Sequence, residues 1–366
     1  MPFLRAFFTT LVIGLSLVVG LNYGIDGTDR WRGRFVIERQ IANILIAGRF
    51  AETNQDYRSQ AVYRMVIDHL ERTPDTVLVG SSRVMAVRDS FVGSGAVLNI
   101  GMPSANLLDA IGAIAALDAK GRLPSRLMFE VDPWVARSQA AIGTRLSSFE
   151  DVGPAFAERI GIDVAALGWR SEPPWDLLSL DQLQANLKEA VGSDQACGHV
   201  RSRDDDVTPC AVRRPDGSMK WTAAFENITP EALAAANRLA LSRRGRLHGF
   251  DGFDAIDERY LDAFGKLLVS LGKRGVEVLI LLHPYHHEVP AAPHYARDWR
   301  LVEQVETHLR EIAAANNLPV LGSYDPTKVN CDPDEFMDVD HAKPPCLAKI
   351  LAPLKERTLP TEGRNQ

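Results

Sequence analysis

The chain contains 366 residues, of which 46% are apolar and 24% are charged. This composition is typical of a globular protein and excludes a collagen-like or largely disordered chain. The formal net charge of −6 argues against nucleic acid as the main partner, because binding phosphates requires a basic surface. We therefore predict no nucleic-acid partner.

The N-terminal segment has the composition of a membrane span. No charged residue occurs between Ala6 and Ile25, and the centre of this stretch is strongly apolar. Its length matches a hydrocarbon core of about 30 Å. A cleaved signal peptide is the rival interpretation, but we find no small-x-small cleavage site between Gly20 and Gly24. We predict an uncleaved transmembrane anchor over residues 1–25.

The charges that flank this span predict one orientation, and the cysteines predict the other. Only Arg5 precedes the span, and four arginines follow it: Arg30, Arg32, Arg34 and Arg39. Counted literally, the positive-inside rule places the C-terminal domain in the cytoplasm. Long domains, however, are translocated largely regardless of flanking charge. The cysteines therefore carry more weight.

The four cysteines fall into two close pairs in loop-like sequence. They are Cys197, Cys210, Cys331 and Cys346. An even number at such spacings suits two disulfides in an oxidising compartment. A zinc site is the alternative, but neither pair has C-x-x-C spacing. We predict two disulfides and an exported domain.

After the anchor, the apolar pattern changes from helical to alternating. Residues 26–74 are amphipathic, which predicts a helical stalk that ends at Pro74. Short apolar runs with strand character follow at residues 76–79, 97–100, 126–131, 276–282 and 320–321. Helices are predicted near residues 104–120, 256–274, 298–316 and beyond Cys346.

This alternation predicts a three-layer α/β/α domain over residues 75–360, with a doubly wound, mostly parallel sheet. Residues 136–251 are too many for a plain loop and are predicted to form an inserted subdomain. Its tryptophans, which include Trp169, Trp175 and Trp221, form either a small core or a platform on which a sugar stacks.

Polar residues follow the predicted strands, at the sheet edge where open α/β folds bind ligands. Ser82 follows the first strand in a Gly-Ser-Ser-Arg turn, where its hydroxyl can face a substrate. The alternative is that this serine caps a helix. Asp132 and His283 follow later strands and are candidate substrate contacts, although no firm role is assigned to His283.

The sequence Asp338-x-x-His341 lies close to the C-terminus. One short loop can therefore supply a general base together with the carboxylate that orients it. The alternatives are a polar surface loop or a metal site built from Asp338, Asp340 and His341. Arg83, next to Ser82, either contacts an anionic substrate group such as a uronate or forms a salt bridge.

Together these motifs resemble the SGNH/GDSL hydrolase superfamily over roughly residues 75–355. The resemblance rests on Gly-Ser-Ser at 80–82, Asn-Ile-Gly at 99–101 and Asp-x-x-His at 338–341. It implies a flavodoxin-like sheet, with Ser82 as nucleophile, Asp338 and His341 as its partners, and Gly101 as an oxyanion donor. It implies no cofactor and no metal.

Two departures narrow the resemblance. Ser81 occupies the usual aspartate position, and residues 130–134 lack Gly-x-Asn-Asp, so Asn106 or the Ser82 amide is the candidate oxyanion donor. Both departures resemble the membrane-anchored SGNH proteins of envelope acylation, which act in alginate O-acetylation or, as the DltD-like proteins, in teichoic-acid D-alanylation.

That subset implies an O-acyltransferase, with O-acetyl transfer the leading case, on a cell-envelope or secreted polysaccharide. It also implies a multi-pass membrane-bound O-acyltransferase (MBOAT) partner and a location on the periplasmic side of the bacterial inner membrane. A glycan esterase with the same triad and a non-catalytic accessory subunit are the alternatives.

Overall fold

The chain is described by a computed structural model over residues 2–25, 35–53, 57–93, 95–137, 148–169, 175–180, 183–184, 187, 197, 199–242, 247, 249–250 and 253–355. The helices are α1 Pro2–Ile25, α2 Val36–Ile46, α3 Ser59–Asp68, α4 Asp89–Val92, α5 Leu107–Ala119, α6 Gly153–Arg159, α7 Ala223–Glu226, α8 Pro230–Ala240, α9 Glu258–Lys273, α10 Glu288–Ala291, α11 Ala296–Ala315 and α12 Pro344–Lys355. The strands are β1 Phe50–Glu52, β2 Thr76–Gly80, β3 Val97–Gly101, β4 Arg126–Glu130, β5 Arg201–Arg203, β6 Val212–Arg213, β7 Met219–Lys220, β8 Glu277–Leu282 and β9 Val320–Gly322.

Five strands form a parallel sheet in the order β3-β2-β4-β8-β9. Counted within this sheet, the order is 2-1-3-4-5, in which the winding direction reverses between β2 and β4. Ligands bind at such a reversal, beyond the carboxyl ends of the strands. The turn that carries Ser82 follows β2, and Asp132 follows β4. The predicted α/β class with a parallel sheet is confirmed.

Side chains on the strands alternate between two apolar clusters, one on each face of the sheet. Val77 and Val79 of β2 belong to the first cluster, whereas Leu78 between them belongs to the second. Helices α3, α5, α9 and α11 contribute to the first cluster, and α12 contributes to the second. Both faces of the sheet are therefore covered, which explains why its strands are continuous apolar runs.

The segment predicted as a helical stalk is divided by a strand. Helices α2 and α3 flank β1, and Ile41 and Tyr63 are buried in the first apolar cluster. Strand β1 pairs antiparallel with β5 and β6 in a second sheet, ordered β5-β1-β6-β7. Its partners come from residues 201–213, so this sheet joins the predicted stalk to the predicted insertion.

Helix α1 is long and apolar enough to cross a membrane. Its last turn is attached to the rest of the protein through Asn22, which is fully buried. The Asn22 side-chain amide donates hydrogen bonds to the carbonyl oxygens of Leu177, at 2.9 Å, and Ser179, at 3.0 Å.

The two predicted cysteine pairs are joined. Cys197 is bonded to Cys210, with their Cα atoms 5.7 Å apart, and Cys331 to Cys346, with theirs 5.1 Å apart. The second bond joins the loop after β9 to helix α12, and the Asp-x-x-His sequence lies between its two cysteines.

Candidate active site

The turn that carries Ser82 is shaped by close packing against the end of β4. A Cβ added at Gly80 would lie 2.4 Å from Oε2 of Glu130, so only glycine fits there. The next residue, Ser81, donates its backbone N–H to the same carboxylate at 2.7 Å. Ser82 itself is half-buried in a turn and not at a helix N-terminus, because the next helix, α4, begins only at Asp89.

Ser82, His341 and Asp338 form a continuous hydrogen-bonded relay. Nε2 of His341 lies 3.0 Å from the Ser82 hydroxyl oxygen. Nδ1 of the same ring lies 2.9 Å from Oδ2 of Asp338. In this arrangement the imidazole can take the serine proton at Nε2 while it donates Nδ1–H to the carboxylate. The folded sheet thus brings together a serine and a histidine that are 259 positions apart.

The loop that carries His341 is held by its own backbone. Oδ1 of Asp338 accepts hydrogen bonds from the backbone N–H groups of Asp340, at 2.9 Å, and His341, at 2.7 Å. Met337 donates its N–H to the carbonyl oxygen of His341 at 2.8 Å. The carboxylate therefore fixes the loop conformation as well as the orientation of the imidazole.

A second carboxylate reaches the same imidazole nitrogen. Oδ1 of Asp340 lies 3.1 Å from Nδ1 of His341. Burial disfavours the charged ring, but Asp340 and Asp338 together hold the pKa of His341 well above its usual value. Although burial alone would raise the pKa of Asp338, the charge of His341 lowers it. Because a base must be neutral to accept a proton, activity is expected to rise with pH through the raised pKa of His341.

Arg83 is a buried connector between the loops of the site. Its side chain is 0% exposed, and Nη1 lies 2.8 Å from Oδ1 of Asp132. Its Nε donates to the backbone oxygen of Asp340 at 3.0 Å, and Nη2 donates to the backbone oxygens of His283 and Pro284. Of the two interpretations given to Arg83, the structure places it in a salt bridge and gives it no open face for a substrate.

Two further carboxylates lie beneath the Ser82 turn. Glu130 and Asp132 are both buried. Burial, followed by the neighbouring Asp132, raises the pKa of Glu130 well above its usual value. Burial also raises the pKa of Asp132, although the charge of Arg83 opposes this rise. Glu130 accepts a hydrogen bond from the backbone of Ser81, and Asp132 accepts one from Arg83 and so positions that side chain.

Gly101 and Asn106 have structural partners, whereas neither ring nitrogen of the buried His283 has a hydrogen-bond partner among the described residues. The backbone N–H of Gly101 donates to Oδ1 of Asn99 at 2.9 Å. The side chain of Asn106 accepts hydrogen bonds from the first turn of α5, where it forms a capping box with Asp109. His283 is fully buried, and burial, Arg83 and His341 hold its pKa well below its usual value.

Sequence reasoning missed the group that fastens the Ser82 turn to the neighbouring strand. The side-chain amide of Asn99 donates to the backbone oxygens of Val84, at 2.8 Å, and Val87, at 2.6 Å. Its place within Asn-Ile-Gly was the available signal, since an asparagine in a buried strand needs partners for its amide.

Aromatic residues of the predicted insertion pack against the imidazole of the relay. The ring centroids of Trp221 and Phe225 lie 5.5 Å and 6.0 Å from that of His341. These two residues come directly after β7 and from α7. Sequence spacing gave no signal that they meet His341, because 116 or more positions separate them from it in the chain.

The donor set next to Ser82 also suits a divalent cation. Ligand atoms of Asp338, Asp340 and His341 lie within 4.8 Å of one another. Two carboxylates and one imidazole are ligands that metal ions accept. Metal binding and the hydrogen-bonded relay would compete for Nδ1 of His341, so an experiment with a chelator separates the two.

Comparisons with known proteins assign no family. No protein-family model matches the chain, and no curated protein matches it as a relative.

Proposed function

We propose that the protein catalyses acyl transfer through a covalent ester on Ser82. The observation that carries this proposal is the relay from Ser82 through His341 to Asp338, with hydrogen-bond distances of 3.0 and 2.9 Å. His341 takes the proton as the Ser82 oxygen attacks the acyl carbonyl, and then returns it to the leaving group. Asp338 holds the ring and stabilises its charged form.

The sheet order and the position of the relay support an SGNH-type fold. The nucleophile turn follows the first strand of the parallel sheet, and the histidine loop follows the last one. The proposal of this fold also depends on the resemblance of the three sequence motifs to those of the SGNH superfamily, because two residues that are usual in that superfamily are replaced in this chain.

The proposed location is the periplasmic side of a bacterial inner membrane. Two disulfides favour an oxidising compartment. Retention of α1 as an anchor is favoured by Asn22, because removal of the helix would take away a buried residue with two tertiary hydrogen bonds. There the protein would acylate a cell-envelope or secreted polysaccharide, supplied with acyl groups by a multi-pass MBOAT partner.

A glycan esterase is the second candidate, because the relay is complete within this chain and needs no partner. Water and a sugar hydroxyl can use the same machinery, so the triad does not separate hydrolysis from transfer. The accessory-subunit alternative predicts that the relay has no chemical role. In that case the Ser82→Ala variant would complement the loss of the wild-type protein in cells.

The first experiment is intact-mass analysis of the full chain, in detergent, after exposure to a fluorophosphonate. Wild type is expected to gain one adduct that Ser82→Ala lacks and that His341→Ala forms much more slowly. Labelling that is lost with a chelator and restored by a divalent cation would support the metal-site alternative. Absence of any adduct on wild type would contradict the proposed function.

The second experiment separates transferase from esterase. The chain is acetylated with an activated acetyl ester and then given an oligosaccharide. Acetyl groups on the sugar support transfer, whereas free acetate alone supports hydrolysis and overturns the transferase proposal.

A further inference from the structure

We infer that Trp221 and Phe225 form the acceptor side of the active site, where a sugar ring of the acyl acceptor stacks on the indole. This inference rests on the proposed function, since it assigns a substrate to the same relay. Two roles were predicted for the tryptophans of the insertion, a small core and a platform for a sugar, and the inference assigns the second role to Trp221 alone.

The rings of Trp221 and Phe225 pack against His341 but are not buried in a hydrophobic core. Trp221 and Phe225 are only half-buried, while core aromatics of the same protein such as Phe250 and Tyr285 are 1% and 0% exposed. Their rings are 5.8 Å apart, and each packs edge-on against His341. Both aromatics therefore combine contact with the proposed base and a surface that solvent, or a ligand, can reach.

The aromatic wall is attached directly to the turn that carries the nucleophile. Met219 of β7 donates its N–H to the carbonyl oxygen of Met85, which lies in the Ser82 turn, at 2.7 Å. The backbone N–H of Trp221 donates to Oε1 of Glu226 at 2.9 Å, and the Thr222 side chain caps the N-terminus of α7. The rings are thus held against His341 by a short, internally bonded segment.

The indole ring that packs against His341 also carries a donor, the N–H of Trp221. Its nitrogen is shielded from solvent and has no hydrogen-bond acceptor among the residues that the structure describes. Buried donors are nearly always paired in folded proteins, so an unpaired one next to a reactive group points to a ligand oxygen. Sugar hydroxyls and ring oxygens supply such acceptors.

The proposed acceptor is a sugar ring, which combines apolar C–H faces with hydroxyl groups around its rim. The indole plane is inclined by 69° to the imidazole plane. A pyranose stacked on the indole has its mean plane parallel to the indole, so its equatorial hydroxyls extend past the rim of the aromatic ring. The C–H groups of the sugar face then meet the negative face of the aromatic ring.

In the transfer step, the acceptor hydroxyl oxygen bonds to the acyl carbon and gives its proton to Nε2 of His341. The bond from the acyl carbon to the Ser82 oxygen then breaks, and Ser82 regains the proton from the imidazole. Atoms and charges balance without any further reagent.

The test separates formation of the acyl-enzyme from its use. Wild type, Trp221→Phe and Trp221→Leu are acetylated with an activated ester and given either oligosaccharides or glycerol. Oligomannuronate, cello-oligosaccharide and chito-oligosaccharide serve as ring acceptors, and glycerol offers hydroxyls without a ring. Labelling of Ser82 by fluorophosphonate reports the first half-reaction alone.

For Trp221→Leu, half-saturation by the best oligosaccharide is expected to rise about tenfold, a loss of about 1.4 kcal/mol in binding, and labelling is expected to fall much less. Transfer to glycerol should fall only as far as labelling does, and Trp221→Phe, which keeps a ring but lacks the indole N–H, should recover part of the difference. Equal loss of labelling and transfer would assign Trp221 a role in holding His341 and overturn the inference. Absence of any preference of wild type for a ring acceptor would also overturn it, whereas failure of wild type to label contradicts the proposed function itself.

Discussion

The disulfide Cys331–Cys346 encloses the loop that carries the proposed base. Its cysteines are separated by 15 positions, and both Asp338 and His341 lie between them. In the chain-entropy model, closing a loop of that size stabilises by about 3 kcal/mol. Opening of this loop in the folded protein would separate His341 from Ser82, so part of that energy acts directly on the active geometry.

We predict that the double variant Cys331→Ala/Cys346→Ala loses more activity than its decrease in folding stability explains. If the whole 3 kcal/mol opposed loop opening, its loss would lower the equilibrium constant for docking of the loop by about a hundredfold. The carboxylate of Asp338 and the Arg83 contact still hold the loop, so kcat is expected to fall by less than that limit, on the order of tenfold. The measurements are the labelling rate of Ser82 and turnover of an acetyl ester.

The other disulfide of the protein, Cys197–Cys210, provides a matched control. Cys197–Cys210 spans 13 positions, nearly the same loop, but encloses no residue of the relay. Both double variants should lower Tm by a similar amount, on the order of 5 °C. Only the Cys331/Cys346 variant should lose activity at a temperature where both are folded. Equal activities in the two folded variants would refute the reasoning.

Three further perturbations address single contacts. Asp340→Asn removes a charge that raises the pKa of His341, so the acid limb of kcat/KM against pH should move to lower pH; a limb that stays in place contradicts that role. Arg83→Lys keeps the charge but loses the planar fork, so kcat should fall at least about tenfold with KM little changed, whereas a rise confined to KM would assign Arg83 to the substrate. Gly80→Ala forces a Cβ against Glu130 and should destabilise by about 1–3 kcal/mol, measured by thermal unfolding; an unchanged Tm would show that the Glu130 side chain moves aside freely.

The strands and the relay were predictable because both depend on local patterns. Apolar runs such as 76–79 and 276–282 marked β2 and β8 to within one residue at each end. Parallel strands place their carboxyl ends at one edge, so the serine after one strand and the histidine loop after the last were expected to meet. The spacing of Asp338 and His341 within one short loop was enough to predict that they act as a pair.

Non-local pairing could not be predicted in this way. Strand β1 has three residues, and its partners lie about 150 positions later, so amphipathic spacing around it indicated only helix. The burial of Arg83 was equally hidden, because a polar turn residue gives no local signal that three other loops close around it. The contact of Trp221 with His341 depends on how the second sheet packs, which periodicity does not encode.

One of the two departures from the SGNH motifs, at Ser81, is matched by acidic side chains from the neighbouring strand, which supports the proposed catalytic role. Ser81 replaces the usual aspartate, yet two carboxylates lie beneath the turn, because Glu130 and Asp132 enter from the end of the neighbouring strand. Glu130 holds the Ser81 amide at 2.7 Å, and Asp132 holds Arg83 at 2.8 Å. Burying two carboxylates and a guanidinium is costly unless they are paired. We therefore expect this buried cluster to hold the Ser82 turn in place for the proposed chemistry.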